Sequence, residues 1–433
     1  MAQKHQYAEI YFQNKFVGAL GYVTNDLIAT FEYSPEWRQS GIELSPIKMP
    51  LSATKYRFPQ LPFPTFRGLP GCFADALPDD FGNAVINAWL ARQQRSPDSF
   101  SAIERLLYTG KRAMGALEFK PAIQRYNKVS KLELDALIEM AQAVFNQRND
   151  WSAQLDEQSD EALQQILQVG TSAGGARAKA VIAMDPLRQQ IVSGQGNVPD
   201  EFEHFVIKFD GVVQTDSHRE TFGDPFGFGR MEYAYYLMAV EAGIEMMPSE
   251  LLIQGELAHF LTKRFDRDKQ QKIHYQSLCA LTHVDYKQPG LYSYEQLFGL
   301  LRKLKLKRKE ALELFRRMTF NVIMRNQDDH TKNFGFIMSN SGQYQLAPAF
   351  DVAFSYKPGS PWVAQHQMSI NGKRDHFLKE DLLAVVPPSL KSDGLQIIEE
   401  VLDIAVQWPT FAERAGVFPE LQQFIGESLR LKL

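Results

Sequence analysis

The sequence predicts an α+β protein built from more than one core, with a β-rich beginning and a mainly helical second half. Three observations support this fold class. Short apolar runs rich in β-branched and aromatic residues fill the start, apolar positions recur at helical spacing after about residue 275, and 433 residues exceed what one core usually holds. Hydrophobic residues make up 44% and charged residues 23% of the chain, which is typical of compact folding and not of a disordered chain.

The first predicted unit, residues 1–125, begins with strands and continues into a helix. The stretch YAEIYFQNKFVGALGYV has two apolar runs around Gln13-Asn14-Lys15, which indicates a β-hairpin. After Pro78-Asp79-Asp80 the apolar spacing becomes helical, and these aspartates are better explained as helix caps than as a catalytic pair of carboxylates. We therefore expect an α+β subdomain here.

The second predicted unit, residues 126–270, mixes strands and helices. A glycine-containing turn leads to the apolar strand FVIKF, then GRMEYAYYLMAVEAGI predicts a helix that ends near Gly243, and ELLIQGELAHFLTKRFD predicts a pair of strands. The third unit, residues 271–433, is predicted to be mainly helical. Two irregular stretches interrupt it, RNQDDHTKNFGFIM and YQLAPAFDVAF.

Bulk charge and cysteine content exclude several classes of function. A net charge of −4 provides no global basic field, so nucleic-acid binding by this chain alone is not expected. The two cysteines, Cys72 and Cys279, lie far apart, which is typical of a reducing compartment and excludes a cysteine-based zinc site. The sequence has neither a signal-peptide pattern nor an apolar run of about 18 residues. We expect a cytoplasmic protein that is not bound to a membrane.

The candidate chemistry lies in the third unit, in the segment Asp328-Asp329-His330-Thr331-Lys332-Asn333. A carboxylate precedes an amide by five positions, which is the spacing of a protein-kinase catalytic loop, where the aspartate is the base and the asparagine holds a metal ion. Asp351 follows 18 residues after Asn333, where a second carboxylate for Mg²⁺ is required. This pattern predicts phosphoryl transfer from ATP, which needs held phosphates, held metal ions and a base.

Upstream residues supply the parts that would hold the nucleotide. Lys208 lies on the strand FVIKF, where a buried lysine needs an anionic partner such as the ATP phosphates. Glu232, early in the next helix, is placed like the glutamate that pairs with a kinase strand lysine. Gly174-Gly175 lies in a polar turn whose N–H groups could reach phosphate oxygens. The order of these features along the chain is that of a kinase.

Each of these features also has a purely structural interpretation. Asp and Asn are abundant turn formers, a glycine pair is typical of a tight hairpin, Lys208 could extend from a strand edge, and Glu232 could lie on a solvated helix face. Zinc at His330 is disfavoured because no second His or Cys lies nearby at a ligand spacing, so a loop-orienting role is expected. The basic run at 301–309 is interpreted as a solvated helix face.

These motifs resemble those of the HipA family of bacterial toxin kinases along most of the chain. FRGLPGCFADALPDDFG resembles the family's N-terminal subdomain, TSAGGARAKA its serine-bearing phosphate loop, FVIKFDG its nucleotide lysine strand, LTKRFDR its hinge strand, RNQDDHTKNF its catalytic loop and LAPAFDV its metal-binding segment. The resemblance implies a two-lobed protein-kinase-like fold. It also implies an extra β-rich N-terminal subdomain and a mainly helical C-terminal lobe.

The resemblance assigns the chemical roles to single residues. It implies Asp328 as the catalytic base, Asn333 and Asp351 as Mg²⁺ ligands, and Lys208 as a ligand of the ATP phosphates. Ser172 matches the family's autophosphorylated serine. The cofactors implied are therefore ATP and Mg²⁺.

The resemblance further implies how the adenine is held. Lys263 and Phe265, on the hinge-like strand, would meet adenine through backbone groups, and His330 would lie beside the nucleotide. Two residues depart from the family. Asp329 replaces a small residue and would add negative charge where ATP approaches, and Lys263 stands where relatives often have an acidic residue.

The combined expectation is an ATP-dependent serine/threonine protein kinase acting as the toxin of a type II toxin–antitoxin system. By resemblance, the partner would be a HipB-like helix-turn-helix antitoxin through which DNA is met, and the substrate a cellular protein, with an aminoacyl-tRNA synthetase suggested by relatives. One alternative is a small-molecule kinase of the aminoglycoside or lipid type, against which the N-terminal subdomain argues. Another is a non-catalytic corepressor, against which the intact Lys208, Asp328, Asn333 and Asp351 argue.

Overall fold

The first sheet is antiparallel and comes from the start of the chain. The computed structural model describes residues 6–23, 26–123, 177–195, 198–212 and 226–433, with a few positions between 132 and 142. Four strands pair in the order β3-β2-β1-β4. They are β1 (Tyr7–Phe12), β2 (Lys15–Tyr22), β3 (Ala29–Tyr33) and β4 (Leu117–Lys120). Gln13 and Asn14 join β1 to β2 with φ angles of 48° and 63°, as a two-residue hairpin turn requires, so the predicted hairpin is confirmed.

Five helices lie between β3 and β4 in the chain. They are α1 (Pro35–Arg38), α2 (Phe63–Phe66), α3 (Gly71–Ala74), α4 (Asp80–Arg92) and α5 (Ala102–Thr109), with a 3₁₀ turn at Pro97–Ser99. The side chain of Asp79 accepts a hydrogen bond from Gly82 N–H at 2.7 Å, at the first turn of α4. The predicted capping role of this aspartate is confirmed.

The second sheet has five antiparallel strands in the order β6-β5-β7-β9-β8. They are β5 (Lys179–Met184), β6 (Ile191–Ser193), β7 (Glu203–Lys208), β8 (Ser249–Gln254) and β9 (Leu257–Lys263). Helix α6 (Phe228–Glu241) packs against β8 and β9 and is followed by Gly243 with a φ of +80°. The predicted strand at FVIKF, the predicted helix ending and the predicted strand pair are all confirmed.

Helices dominate the rest of the chain, as predicted. The strands there are short: β10 (Arg267–Asp268), β11 (Gln271–Lys272), β12 (His274–Ser277), β13 (Gly335–Met338) and β14 (Tyr344–Leu346). The helices are α7 (Leu278–Thr282), α8 (Tyr294–Lys303), α9 (Arg308–Ile323), α10 (Lys379–Ala384), α11 (Lys391–Ala405), α12 (Trp408–Ala415) and α13 (Pro419–Ser428), with a 3₁₀ turn at Pro388–Leu390. In the part of the chain that the structure describes, none of the helices has both the length and the apolar character needed to cross a bilayer.

The apolar cores connect segments that are distant in sequence. Helix α6 contributes Met231 and Tyr235 to the core of the helical region. Phe81 and Val85 of α4 pack in the core of the five-stranded sheet. Cys279, from α7, lies in the core of the first sheet. These shared cores fix the first sheet and its helices beside the cleft described next.

Candidate active site

A cleft of about 990 Å³ lies between the five-stranded sheet and the helical region. Its wall includes side chains from β7, β9, α6, the segment after α9 and the segment after β14. Six of the residues predicted from sequence line it: Lys208, Glu232, Lys263, Phe265, Asn333 and Asp351. Residues scattered over 143 positions of the chain are therefore brought to one place.

Lys208, at the end of β7, is the central cation of the cleft. Its Nζ donates to Glu232 Oε1 and to Asp351 Oδ1, so the predicted lysine–glutamate pair is present. Burial opposes the charge of Lys208, but the carboxylates of Asp351 and Glu232 outweigh this effect and raise its pKa. Arg177 donates to the second oxygen of Glu232 at 2.9 Å. Glu232 thus anchors two cations at this wall.

Asp351 has a left-handed backbone conformation in the cleft. Its φ is +52°, a left-handed conformation that L-residues other than Asn and Asp rarely adopt. Burial alone would raise the pKa of this carboxyl, but the ammonium groups of Lys208 and Lys179 lower it to about 2. The group is therefore a carboxylate at any physiological pH.

The loop after α9 carries Asp328, His330 and Asn333. Asn333 Nδ2 donates to the backbone oxygen of Asp328 at 2.8 Å, and Asn333 N–H donates to His330 O at 2.9 Å. Surrounding protein atoms, with the nearby charge of Asp351, raise the pKa of Asp328, although 44% of its side-chain surface is open. A raised pKa makes this carboxylate a better proton acceptor.

His330 lies next to Asp328 rather than on the cleft wall. Its Nε2 is 3.7 Å from Asp328 Oδ1, and its ring meets the edge of Tyr286 with centroids 5.2 Å apart. Its Nδ1 is buried without a hydrogen-bond partner among the described residues. The geometry fits the loop-orienting role that the sequence predicts.

Asp329 does not line the main cleft, but it lines a smaller pocket together with Asn333 and Asp351. Its carboxylate is buried beneath the loop and accepts hydrogen bonds from Tyr294 Oη at 2.8 Å, His366 Nδ1 at 2.9 Å and Gln367 N–H at 2.7 Å. The expectation that its charge affects the approach of ATP therefore stays a prediction. These donors draw the side chain into the helical region, away from the cleft wall.

The end of β9 carries backbone groups that lie at the cleft. Lys263 N–H donates to Pro248 O at 2.9 Å, and antiparallel pairing would return a donor from residue 248 to the Lys263 carbonyl. Proline has no N–H, so the sheet leaves this carbonyl without that donor. The Lys263 side chain is held by Glu203, with 2.5 Å between Nζ and Oε1. Phe265 packs against Tyr275 and Phe350, with centroids 5.4 and 5.7 Å apart.

Sequence reasoning missed a charged part of the cleft wall. Asp75, from the first part of the chain, lines the cleft and accepts from Ser277 N–H at 2.6 Å. Lys179 and Lys332 line it too, and Lys179 Nζ is 3.8 Å from Asp79 Oδ2 with both side chains almost fully buried. Burial raises the pKa of Asp79 to about 6 against the attraction of Lys179. The motif ADALPDD carries both aspartates, but nothing local indicates that Asp75 lines the cleft or that Asp79 meets Lys179.

The predicted phosphate loop lies outside the described residues. Ser172, Gly174 and Gly175 belong to it, and Lys179 is the first residue of the strand that follows. Within the described ranges, no three His, Cys, Asp or Glu side chains come together as metal ligands would. The predicted magnesium ligands are instead one carboxylate, Asp351, and one amide, Asn333, which line the same cleft.

The fold and the site define a two-lobed, kinase-like protein. A family model described as the HipA N-terminal domain matches residues 8–120, and one described as the HipA-like C-terminal domain matches residues 171–409. The chain therefore belongs to the HipA family, as its motifs predict. A chain of the Shewanella oneidensis complex of HipA, HipB and operator DNA has the same fold, with a TM-score of 0.66 and 17% identity over 97% of this chain and 94% of its own. The predicted fold class is confirmed.

Two curated relatives share part of the sequence. A candidate kinase of Haemophilus influenzae is 29% identical over 189 residues, which cover 39% of this chain and 54% of that protein. A second candidate kinase, Y4mE of Sinorhizobium fredii, is 26% identical over 192 residues, which cover 42% of this chain and 39% of that protein. The chain thus matches about half or less of the length of these relatives, whose names support kinase activity in general.

Proposed function

We propose that this protein transfers the γ-phosphoryl group of ATP to a serine or threonine of a protein. The observation that carries the proposal is the position of Lys208, whose ammonium joins Glu232 to Asp351 in the cleft that Asn333 also lines. Phosphates entering there would meet the cation that the lysine–glutamate pair of kinases presents. Asp328 lies on the same loop as Asn333, where an acceptor hydroxyl would arrive.

The residues present fit a magnesium ion. Asn333 uses its Nδ2 to donate to Asp328 O, which leaves its Oδ1 as the free ligand atom, and Asp351 is ionised. An amide oxygen and a carboxylate are hard ligands of the kind Mg²⁺ takes beside substrate phosphates. A bound Mg²⁺ would supply charge neutralisation for the transferred group.

The chain's own residues divide the remaining work. Lys208 binds phosphate oxygens while Glu232 keeps its ammonium in place. The Lys263 carbonyl and the Phe265 N–H hold the two polar atoms on the edge of adenine, since Pro248 ends the strand pairing there. Asp328 accepts the proton of the acceptor hydroxyl, helped by its raised pKa. His330 keeps the loop in place beside Asp328.

A protein acceptor is favoured over a small molecule because the first part of the chain helps to build the cleft. Asp75 and Met114 line it, so this subdomain would contact whatever enters. The HipA of the Shewanella complex is assembled with HipB and operator DNA. For this chain we infer a HipB-like partner, DNA contact through that partner, a cytoplasmic location and a toxin's role in growth control.

Ser172 is proposed as a site of autophosphorylation. By the family resemblance Ser172 belongs to the phosphate loop, so a phosphate there would add nearly two negative charges that repel ATP and should inactivate the enzyme. Mass spectrometry of the peptide 170–179 tests this, using active protein and protein carrying Asp328→Ala. We expect phosphate in the active protein alone. Its absence from active protein, or equal amounts in both, would refute self-modification.

The proposed activity is tested by incubating the protein with γ-labelled ATP and a bacterial lysate from which small molecules have been removed. We expect labelled protein bands that depend on Asp328, with phosphoserine or phosphothreonine in the labelled protein. An aminoacyl-tRNA synthetase is the first purified substrate to try. Label that appears only in small molecules added back would favour the aminoglycoside or lipid type of kinase.

A further inference from the structure

The residues on both sides of Asp328 are buried and held from beneath. Asp329 accepts three hydrogen bonds in the helical region, including one from His366 Nδ1 at 2.9 Å. Gln327 is fully buried and its backbone N–H donates to Ser355 O at 3.1 Å. Asp328, between them, keeps 44% of its side-chain surface open. The position of the catalytic carboxylate therefore depends on how firmly its two neighbours are held.

Arg430, which follows α13, is connected to both neighbours of Asp328, to Gln327 directly and to Asp329 through His366. Its Nη1 lies 3.1 Å from His366 Nε2. The side-chain amide of Gln327 is oriented so that both of its polar atoms form hydrogen bonds. Its Oε1 accepts from Arg430 Nη2 at 2.8 Å, and its Nε2 donates to Val363 O at 2.9 Å. One guanidinium thus contacts the side chain before Asp328 directly and the side chain after it through a single histidine.

Arg430 is itself fixed at the end of α9, the helix that leads into the catalytic loop. Its backbone N–H donates to Ile323 O at 2.9 Å, and its Nη1 donates to Val322 O at 3.3 Å. A cation at the carboxyl end of a helix is stabilised by the helix dipole. Asp375 Oδ1 accepts a hydrogen bond from Arg430 Nη2, and the guanidinium lies 5.4 Å from the ring centre of Phe377. The side chain is 9% exposed, so its donors are used within the protein.

The chemistry of these groups fixes the proton on His366. Arginine has only donors, so Nε2 of His366 must accept and cannot carry a proton. The ring is then neutral with its proton on Nδ1, which donates to Asp329 Oδ2. The ring has no exposed surface, so water does not compete for either nitrogen. The direction of every hydrogen bond from Arg430 to Asp329 is therefore determined.

We propose that Arg430 is a positioning residue for phosphoryl transfer, acting through the Nδ1–H tautomer of His366 on Asp329 and directly on Gln327 to hold the loop that carries Asp328. This inference rests on the proposed function. It also gives Asp329, the residue that departs from the family pattern, a task in this chain. Arg430 does not line the nucleotide cleft, so its loss should affect the chemical step and leave nucleotide binding unchanged.

The first test is a kinetic comparison of Arg430→Ala and Arg430→Lys with the matched control Arg414→Ala, since Arg414 is exposed on α12. We expect kcat to fall about ten- to a hundredfold in Arg430→Ala, because a displacement of about 1 Å of a catalytic group costs up to about a hundredfold. KM for ATP should stay within about twofold. Arg430→Lys should recover part of kcat, and added ethylguanidinium should raise kcat of Arg430→Ala but not that of Arg414→Ala.

The second test does not depend on activity. Nitrogen-15 spectra of protein with labelled histidine, assigned with a His366→Asn variant, should show His366 as the neutral Nδ1–H tautomer in wild type. Arg430→Lys keeps the positive charge and is the milder of the two changes. In this variant a fraction of His366 should carry its proton on Nε2, because the several fixed donors of the guanidinium are lost.

These two measurements separate the possible failures. Wild-type kcat in folded Arg430→Lys and Arg430→Ala, or a dominant Nε2–H tautomer of His366 in wild type, would overturn the inference. A fall in kcat without any change at His366 would overturn the relay to Asp329. If wild type transfers no phosphate at all, the proposed function fails and the catalytic role with it, while the tautomer spectrum still decides whether Arg430 sets the proton on His366.

Discussion

At the scale of single residues, the charge of Asp351 can be removed without changing its backbone conformation. Its φ of +52° is tolerated by asparagine, so Asp351→Asn removes the charge without straining the chain. We expect the variant to fold and to lose measurable phosphoryl transfer, by more than about a hundredfold, because a metal ligand and its neutralising charge are gone. Initial rates and denaturation curves measure this, with Asp268→Asn as control, since Asp268 is the exposed residue of β10. A rate near that of wild type would remove Asp351 from the site.

The residues predicted from sequence are those whose signal is local. Asp328 and Asn333 stand at a fixed spacing, Lys208 lies in an apolar strand, and Gln13-Asn14 carries its own turn preference. Asp75 was missed because its place in the cleft depends on a hydrogen bond to Ser277, 202 residues away. Such long-range contacts leave no periodic pattern in the sequence.

At the scale of elements, the proposed adenine contact depends on how β8 pairs with β9. Replacing Pro248 with alanine would restore an N–H that can donate to the Lys263 carbonyl and compete with adenine. We expect Pro248→Ala to weaken ATP binding about three- to tenfold, the value of one hydrogen bond. Calorimetry with ATP and with purine riboside triphosphate, which lacks the 6-amino donor, measures this.

The purine analogue is the control for that change. It cannot donate to the Lys263 carbonyl, so Pro248→Ala should leave its affinity unchanged. An equal loss of affinity for both nucleotides would show a general disturbance of the sheet and would contradict the assigned adenine contact.

At the scale of the whole molecule, shared cores tie the first part of the chain to the cleft. Phe81 and Val85 of α4 pack on the five-stranded sheet, and Gly115 N–H donates to the buried Asp266 beside the hinge at 2.7 Å. Both contacts cross the predicted boundary at about residue 125, and the division into units at about residues 125 and 270 stays a prediction. The two-lobed fold could be predicted from motif order, whereas this interlocking could not.

Buried histidines should make the whole fold sensitive to acid. Burial lowers the pKa of His204, His259 and His274 to about 4 and that of His283 to about 3. Because these folded-state values lie below the unfolded value of 6.5, the stability they provide is complete above pH 6.5 and is lost as the pH falls toward 4, by at most about 1.4 kcal/mol per pH unit for each group. Asp79 has a raised pKa of about 6, so its contribution increases the stability of the fold as the pH falls and partly offsets the effect of the histidines.

We therefore expect the free energy of unfolding to fall between pH 7 and pH 5, and urea unfolding measures it. His259→Asn keeps an acceptor for Asp210 N–H but cannot titrate, so its slope should be smaller than that of wild type. The exposed His376→Asn should leave the slope unchanged. Stability that is flat or rises toward pH 5 would contradict the neutral state of the buried rings.

The most direct test of the account is made on one sample of Asp328→Ala, in which Mg-ATP affinity and phosphoryl transfer are both measured. Lys208, Glu232, the hinge and the proposed metal ligands are unchanged in this variant, and the proposed role of Asp328 is to act on the acceptor hydroxyl. We predict ATP affinity within about twofold of wild type, with transfer reduced by about a hundredfold or more. Transfer at the wild-type rate, or loss of ATP binding in the folded variant, would contradict the assignment of Asp328 as the base of a kinase.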